Sequence, residues 1–302
     1  MKLDGLIPAI VTPMTPDYEV DEPSLRRYVQ WLLDQGADGL AVNADTGEGP
    51  HLWPHERRRV LEVVAEEVNG QIPIVAGLGA SFTAQAVALA NEAREAGASA
   101  LLVFPIAAFQ GRPLTAEVPY AYHAAVAEAG LPLVLFQLQP ALGGIEFPPE
   151  VIERLATIEM VVAIKEASFD AAKYTATLRV LEKLERPIAM LTGNDNFVGE
   201  SFVLGADGAL IGFGTLATAQ QAEMVQAFAA GDQGRGMDIW REVLPLEEAV
   251  FAPPVRNYRA RTKAALHALG IIDHPTVRPP LLPCSREELD LVLDKLNALV
   301  EA

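Results

Sequence analysis

PIVAGLGASFTAQAVALANEAREAGASALLVF, residues 73–104, is the stretch that decides the fold. It opens on a short apolar run at 73–77, continues through a segment of helical period at 83–96, and closes on a second apolar run at 100–104. Apolar runs of this length, rich in β-branched residues and bounded by glycine, indicate buried strands. The stretch therefore predicts one strand–helix–strand unit of a parallel sheet.

The same alternation continues from residue 7 to residue 212. Strands are expected at residues 7–12, 39–43, 73–77, 100–104, 132–136, 161–165, 188–193 and 208–212. Helices are expected at residues 22–35, 54–68, 83–96, 115–129 and 171–184, and several end just before a glycine. Eight such units in one series predict an α/β fold, a (β/α)8 TIM barrel, and an open doubly wound sheet is the alternative.

The strand signals stop after Thr215, and the rest of the chain is predicted to be helical. Helices are expected at residues 217–230, 233–249, 254–269 and 285–300. We therefore predict a catalytic barrel over residues 1–225 and a C-terminal helical region over residues 226–302. This region carries no motif of its own, and we expect it to serve in packing or assembly.

Composition and charge exclude several classes of protein. Half of the 302 residues are hydrophobic and 21% are charged, which is typical of a globular protein and not of a disordered or coiled-coil chain. A net charge of −17 argues against nucleic acid as a partner. No apolar run is long enough to span a membrane. Cys284 is the single cysteine, and the chain start lacks the order of a signal peptide, so we expect a cytoplasmic protein.

Lys165 is the most unusual residue at a predicted strand end. Active sites of such barrels lie at the carboxyl ends of the strands, and Lys165, one of six lysines, closes an apolar strand there. Strand side chains alternate, so Ala163 and Ala167 are expected to point into the barrel with it. Burial disfavours an ammonium ion, and a neutral amine can attack a carbonyl to form a Schiff base. The alternative is a lysine that turns outward and pairs with Glu166.

Three loops at the same end carry weaker signals. The loop at 43–50 combines turn amides with hydroxyl and carboxylate groups that could hold a substrate carboxylate, although an ordinary capped turn would look the same. The loops at 192–195 and 212–215 fit a helix cap and a weak phosphate site. Pro54 separates His51 from His55, and no glycine-rich dinucleotide motif follows the first strand, so we expect no metal and no cofactor.

Four of these segments, taken together, resemble one family of enzymes. They are GLIPAIVTPM at 5–14, DTGE at 45–48, PIVAG at 73–77 with Gly79, and IKEAS at 164–168. In combination they are similar to the dihydrodipicolinate synthase / N-acetylneuraminate lyase family along nearly the whole chain. The resemblance implies a class I aldolase or lyase that binds pyruvate or another 2-oxo acid as an imine on Lys165. It also implies a homo-oligomer, a tetramer or a dimer.

The same resemblance implies roles for further residues. Thr46 and the backbone amides of Thr46 and Gly47 are expected to bind the substrate carboxylate. Gly193 and the carbonyl around Leu210 are expected to line the pocket.

The sequence also departs from the family pattern. Asp45 stands where the family usually has a threonine, and Phe136 stands where a tyrosine usually moves protons. A second tyrosine is missing from residues 105–109, and residues 141–144 offer no arginine for a second carboxylate. We therefore predict a Schiff-base lyase, an aldolase or a dehydratase, that is not a true lysine-pathway synthase. A degenerate member that binds a 2-oxo acid without turnover is the alternative.

These departures also raise the question of which group moves protons. We hypothesise that Asp45, through water and Thr46, takes over proton transfer with a pKa raised toward neutrality by partial desolvation. Phe136 is then an apolar wall of the substrate site that helps to keep the amine of Lys165 neutral.

Overall fold

The strands close into a barrel. In the computed structural model, which describes residues 3–111 and 113–301, eight parallel strands follow one another in the order β1-β8-β7-β6-β5-β4-β3-β2. They are β1 (Gly5–Pro8), β2 (Leu40–Val42), β3 (Ile74–Leu78), β4 (Ala100–Val103), β5 (Leu133–Leu138), β6 (Val161–Ala167), β7 (Ala189–Thr192) and β8 (Gly208–Ile211). A parallel bridge between Ala9 and Ala41 joins the two ends of the sheet. The predicted (β/α)8 barrel is confirmed.

Helices alternate with the strands around the outside. They are α1 (Glu22–Asp34), α2 (Pro54–Val68), α3 (Thr83–Glu95), α4 (Glu117–Ala127), α5 (Pro149–Leu155), α6 (Ala171–Leu181), α7 (Val198–Leu204) and α8 (Thr218–Ala229). The sequence does not predict α5 and α7, because seven residues make only two turns and carry little periodicity. Residue 225, the predicted end of the barrel, falls inside α8.

The barrel has an inner and an outer apolar layer. Side chains such as Val75, Leu102, Val134 and Leu191 fill the interior of the barrel. The opposite faces of the strands pack against the surrounding helices. Both faces are therefore covered, which explains why the strands are apolar without a polar alternation.

Three helices follow the barrel: α9 (Gln233–Val250), α10 (Tyr258–Ala268) and α11 (Arg286–Glu301). Helix α10 is buried from Tyr258 to Leu266 although it carries two arginines and a lysine. Buried charges need partners, and these charges pair with the loop after β2 and with α11. Helix α10 therefore packs against the carboxyl end of the barrel.

Two further observations concern membrane-spanning helices and the extent of the predicted regions. In the part of the chain that the structure describes, no helix is both long and apolar enough to cross a membrane. The predicted ranges 1–225 and 226–302 also contain Met1, Lys2, Arg112 and Ala302, which lie outside the described residues.

Candidate active site

Lys165 points into the mouth of the barrel. It lies on β6 between Phe136 of β5 and Leu191 of β7. Ala163 and Ala167 belong to the inner layer and Ile164 to the outer layer, so the predicted alternation is confirmed. The side chain of Lys165 is buried, with 8% of its surface exposed.

Glu166 faces the other side of β6. Its carboxylate accepts hydrogen bonds from the Asn194 side-chain amide at 2.7 Å and from the Ser168 amide at 3.3 Å. No ion pair between Lys165 and Glu166 is found among the described residues. The outward-turned alternative for Lys165 is therefore not the arrangement in this structure.

Gly193 makes room for the lysine side chain. A Cβ atom at this position would lie 2.5 Å from Cε of Lys165 and 3.0 Å from Cβ of Ala167. The Gly193 amide also donates a hydrogen bond to the Glu166 carbonyl at 2.6 Å, which holds the backbone close to β6. Only glycine leaves the present path of Lys165 open.

The surroundings of Lys165 favour a reactive amine. Burial lowers its pKa to about 8, against the opposing charges of Asp195 and Asp45. At that pKa roughly a tenth of the amine is neutral at pH 7. The Phe136 ring lies 4.6 Å from Nζ and packs edge-on against Phe104. Because a ring face attracts a cation, this contact favours the protonated amine, whereas the sequence leads us to expect that Phe136 helps to keep it neutral; burial is the cause of the lowered pKa.

Asp45 is held by groups of the C-terminal region. Arg259 forms an ion pair with its carboxylate at 2.5 Å, Arg256 lies at 3.5 Å, and the Tyr258 hydroxyl donates to Oδ2 at 2.9 Å. Burial would raise the pKa of Asp45, but Arg259, the Tyr258 hydroxyl and Arg256 together bring it below its usual value. The expected rise of the Asp45 pKa toward neutrality is therefore wrong. The sequence does not predict these partners, because they lie more than 200 residues further along the chain.

Arg256 corrects a second expectation. Residues 141–144 offer no arginine, yet Nη2 of Arg256 donates to the Leu142 carbonyl at 2.5 Å. Arg256 lines the same pocket as Lys165 and is 45% exposed. The expected lack of a cation near Leu142 is wrong, because the cation is supplied from a position 114 residues away in sequence.

Asp195 is the acidic residue that sequence reasoning missed. It follows β7, is 6% exposed, and accepts a hydrogen bond from the Phe213 amide at 2.8 Å. Burial raises its pKa to about 6, against the opposing effect of the Lys165 charge. The carboxyl group with a near-neutral pKa beside the lysine is thus Asp195. Its position three residues after the end of β7 is the available signal, but the same position also fits a helix cap.

The pocket brings most of the predicted site residues together. Lys165, Asp45, Thr46, Phe136 and Gly193 all line it, and Thr46 is 3% exposed. Its outer wall comes from the stretch between α9 and α10 and from the start of α10: Phe251, Val255, Arg256 and Tyr258.

Gly47 and Leu210 lie close by but are not among the described residues that line the pocket. The Gly47 carbonyl accepts a hydrogen bond from Thr12, and Leu210 belongs to the inner layer of the barrel. Their roles in binding substrate stay predictions. Among residues 3–111 and 113–301, no three His, Cys, Asp or Glu side chains form a group that could hold a metal ion.

A parallel barrel with a buried lysine of lowered pKa at the end of its sixth strand defines a class of enzyme, the lyases that hold a carbonyl substrate as a Schiff base. Within that class, residues 2–299 match the model of the dihydrodipicolinate synthetase family. The chain belongs to this family and is a Schiff-base aldolase of the class I type.

Named relatives and solved structures agree with the expected family and enzyme class. The chain is 34% identical over 281 residues to the 4-hydroxy-tetrahydrodipicolinate synthase of Methylococcus capsulatus, covering 92% of both chains. It is 31% identical over 288 residues to the enzyme of the same name from Kosmotoga olearia, covering 95% of both.

Solved structures share the architecture over the whole length. The dihydrodipicolinate synthase of Thermotoga maritima has a TM-score of 0.91 at 28% identity, covering 100% of both chains. The enzyme of Acinetobacter baumannii, solved in complex with pyruvate, has a TM-score of 0.87 at 30% identity, covering 99% of both.

Substituting Gly193 tests the packing around the lysine. We expect Gly193→Ala to slow imine formation about 100-fold, because the added methyl group displaces the Lys165 side chain from its present path. The rate of borohydride-trapped pyruvate adduct, followed by intact mass, measures the effect. Gly79→Ala is the matched control, since a Cβ there meets nothing within 4 Å. Trapping at the wild-type rate in Gly193→Ala would show that the lysine has another route into the pocket.

Proposed function

We propose that this enzyme joins pyruvate, held as an imine on Lys165, to an aldehyde that carries a carboxylate, and that Arg256 binds that carboxylate. The protonated imine acts as the electron sink while a proton leaves the neighbouring carbon of pyruvate. The resulting enamine then forms the new carbon–carbon bond. The same machinery run in reverse cleaves the corresponding 2-oxo acid.

The observation that carries the proposal is the position of Arg256. A protein with a net charge of −17 repels anions at long range, so an anionic substrate needs a local cation. Arg259 is 5% exposed and is engaged with Asp45, whereas Arg256 is 45% exposed at the mouth of the pocket. A guanidinium has five N–H donors, and the contacts to Leu142 and Asp45 leave donors for a substrate carboxylate.

Aspartate semialdehyde is the aldehyde that we propose first. The names of the relatives describe a synthase of 4-hydroxy-tetrahydrodipicolinate, the lysine precursor formed from pyruvate and this aldehyde. The lack of an arginine at residues 141–144 is one of the grounds for expecting that the enzyme is not a lysine-pathway synthase, and Arg256 places a cation beside Leu142. The pyruvate complex of the Acinetobacter baumannii enzyme supports pyruvate as the 2-oxo acid.

Two assays test the proposal. Borohydride reduction in the presence of pyruvate should add one reduced adduct to the wild-type protein, on the peptide that contains Lys165. A coupled assay with pyruvate and aspartate semialdehyde should show steady turnover. An adduct without turnover on any aldehyde would support the degenerate member considered from the sequence, and a neutral aldehyde used faster than every anionic one would refute the role of Arg256.

The family resemblance also supports a homo-oligomer, a tetramer or a dimer, and the single Cys284 supports a cytoplasmic location. Both are part of the proposal. Sedimentation of the purified enzyme tests the first and cell fractionation tests the second.

Truncating Arg256 tests the aldehyde site directly. We expect Arg256→Ala to lower kcat/KM for aspartate semialdehyde about 10- to 100-fold, the effect of losing a charge-assisted hydrogen bond of about 1.5–3 kcal/mol. Borohydride trapping of pyruvate and the use of a neutral aldehyde of similar length should stay unchanged. Arg241→Ala, an exposed arginine on α9, is the matched control. An equal loss with the neutral aldehyde would mean that Arg256 acts only by positioning Asp45.

A further inference from the structure

The pocket contains a phenol that comes from the C-terminal region. Tyr258 is the first residue of α10, and its hydroxyl donates a hydrogen bond to Oδ2 of Asp45 at 2.9 Å and lies 3.3 Å from Oγ1 of Thr46. Its ring stacks on Phe251 with centroids 4.8 Å apart, and a Cβ on Gly212 would lie 3.3 Å from Cε2 of the Tyr258 ring. These contacts hold the hydroxyl at the pocket that Lys165 enters.

The hydroxyl stands between the closed part of the pocket and solvent. Tyr258 is 8% exposed and Lys165 is equally buried, whereas the Asp45 side chain is 34% exposed. A proton can therefore pass from the pocket to Tyr258, from Tyr258 to Asp45, and from Asp45 to water. Asp195 also lines the pocket and can exchange protons, but it is only 6% exposed, so Asp45 is the lining carboxylate that reaches solvent.

Building on the function proposed above, we propose that Tyr258 is the catalytic residue that relays protons between the bound substrate and Asp45. Arg259 is the positioning residue, since it holds Asp45 through both its carboxylate and its backbone carbonyl. This assignment replaces the transfer by Asp45 through water and Thr46 that the sequence suggests.

The relay accounts for every proton in imine formation. Nζ of Lys165 bonds to the keto carbon, and the carbonyl electron pair moves to oxygen. That oxygen takes two protons before it leaves as water, one released by Nζ and one drawn from solvent. Tyr258 gives each proton from its hydroxyl and takes one in return, first from Nζ and then from Asp45, which is recharged by water. The carbon–oxygen bond breaks and the protonated imine remains on Lys165.

The electrostatics favour a relay over a free phenolate. Burial, together with the charge of Asp45, raises the pKa of Tyr258 above its usual value. A standing phenolate base is therefore disfavoured, so the hydroxyl has to give and receive a proton in the same step. The low pKa of Asp45 keeps it ionised between turnovers, so Asp45 draws a proton from water in the same step in which it passes one to Tyr258.

Removing one oxygen atom tests the relay. We expect Tyr258→Phe, which keeps the ring stacked on Phe251, to lower kcat about 10²- to 10⁴-fold with little change in KM. The rate of imine trapping should fall as well, while the adduct reached after long incubation should equal that of the wild type. Tyr122→Phe is the matched control, because Tyr122 is also buried and its hydroxyl has no hydrogen-bond partner among the described residues.

A second variant keeps the test decisive if Tyr258→Phe is poorly folded by circular dichroism. Asp45→Asn leaves Tyr258 in place and should give a similar loss in kcat. The double variant should be no slower than either single variant, because groups that act as one unit show non-additive losses. Losses that multiply, or turnover of Tyr258→Phe at the wild-type rate, would overturn the relay while leaving the proposed function standing. Failure of the wild type to form any adduct would overturn the proposed function and the relay with it.

Discussion

We expect Lys165→Ala to remove all borohydride-trapped pyruvate and to lower turnover by about 10⁴-fold or more, because the covalent route depends on this one amine. Lys165 is the lysine that lines the pocket in the described part of the chain, and Gly193 leaves the path for its side chain. Intact-mass measurement after borohydride reduction, with peptide mapping, checks the expected result. A wild-type adduct on Lys173 or Lys183, or a wild type that forms no adduct with any 2-oxo acid, would contradict the assignment.

The pH dependence of the trapping rate tests the lowered pKa of Lys165. Burial lowers the pKa of Lys165 to about 8, so the attacking amine is mostly neutral above that pH and mostly protonated below it. The trapping rate should therefore rise as the pH increases through about 8 and level off above it. Lys173→Ala, which removes an exposed lysine paired with Glu146, is the control and should trap pyruvate as the wild type does.

Lys263→Ala has the largest expected effect on stability. Lys263 and Glu48 form an ion pair in which both side chains are fully buried, and Nζ of Lys263 also donates to the Thr276 carbonyl at 2.7 Å. Without the lysine, the Glu48 carboxylate stays buried with only the Arg278 amide as a partner in the described contacts. Leaving one partner of such a pair alone costs about 3–5 kcal/mol. The free energy of unfolding from denaturant titration measures the loss.

Two further variants separate charge from packing. Lys295→Ala removes a surface lysine from α11 and should change the free energy of unfolding by less than about 0.5 kcal/mol. Combining Lys263→Met with Glu48→Gln leaves no unpaired charge and should recover part of the stability lost by Lys263→Ala. A double variant that is less stable than Lys263→Ala would show that the pair stabilises the fold through the packing of its side chains and not through its charges.

The barrel was predictable because its signal is local and repeated. Each strand in this chain is a short apolar run and each long helix carries its own period, so single segments such as residues 73–104 already define a unit. The elements that the sequence did not predict are short or carry a weak pattern. Helices α5 and α7 have too few turns to show periodicity. Strand β6 continues past Lys165 to Ala167, and the sequence does not predict this extension because glutamate and alanine give no strand signal.

The sequence predicted only those site residues that lie at the end of a strand or in the loop that follows it. Lys165 stands out from its own neighbours, but Arg256 and Tyr258 reach the pocket because α10 packs across the carboxyl end of the barrel, which no local pattern encodes. A signal was present. Positive charges on α10 at Arg259, Arg261 and Lys263, in a chain of strongly negative net charge, have acidic partners that include Asp45 and Glu48 on the loop after β2.

The two walls of the pocket are encoded far apart. The nucleophile comes from β6, whereas the side chains proposed to recognise the aldehyde and to relay protons come from one contiguous stretch near residues 251–259. Exchanging this one short stretch would therefore change the proposed aldehyde site and the proposed proton relay together, while the nucleophilic lysine on β6 would stay in place.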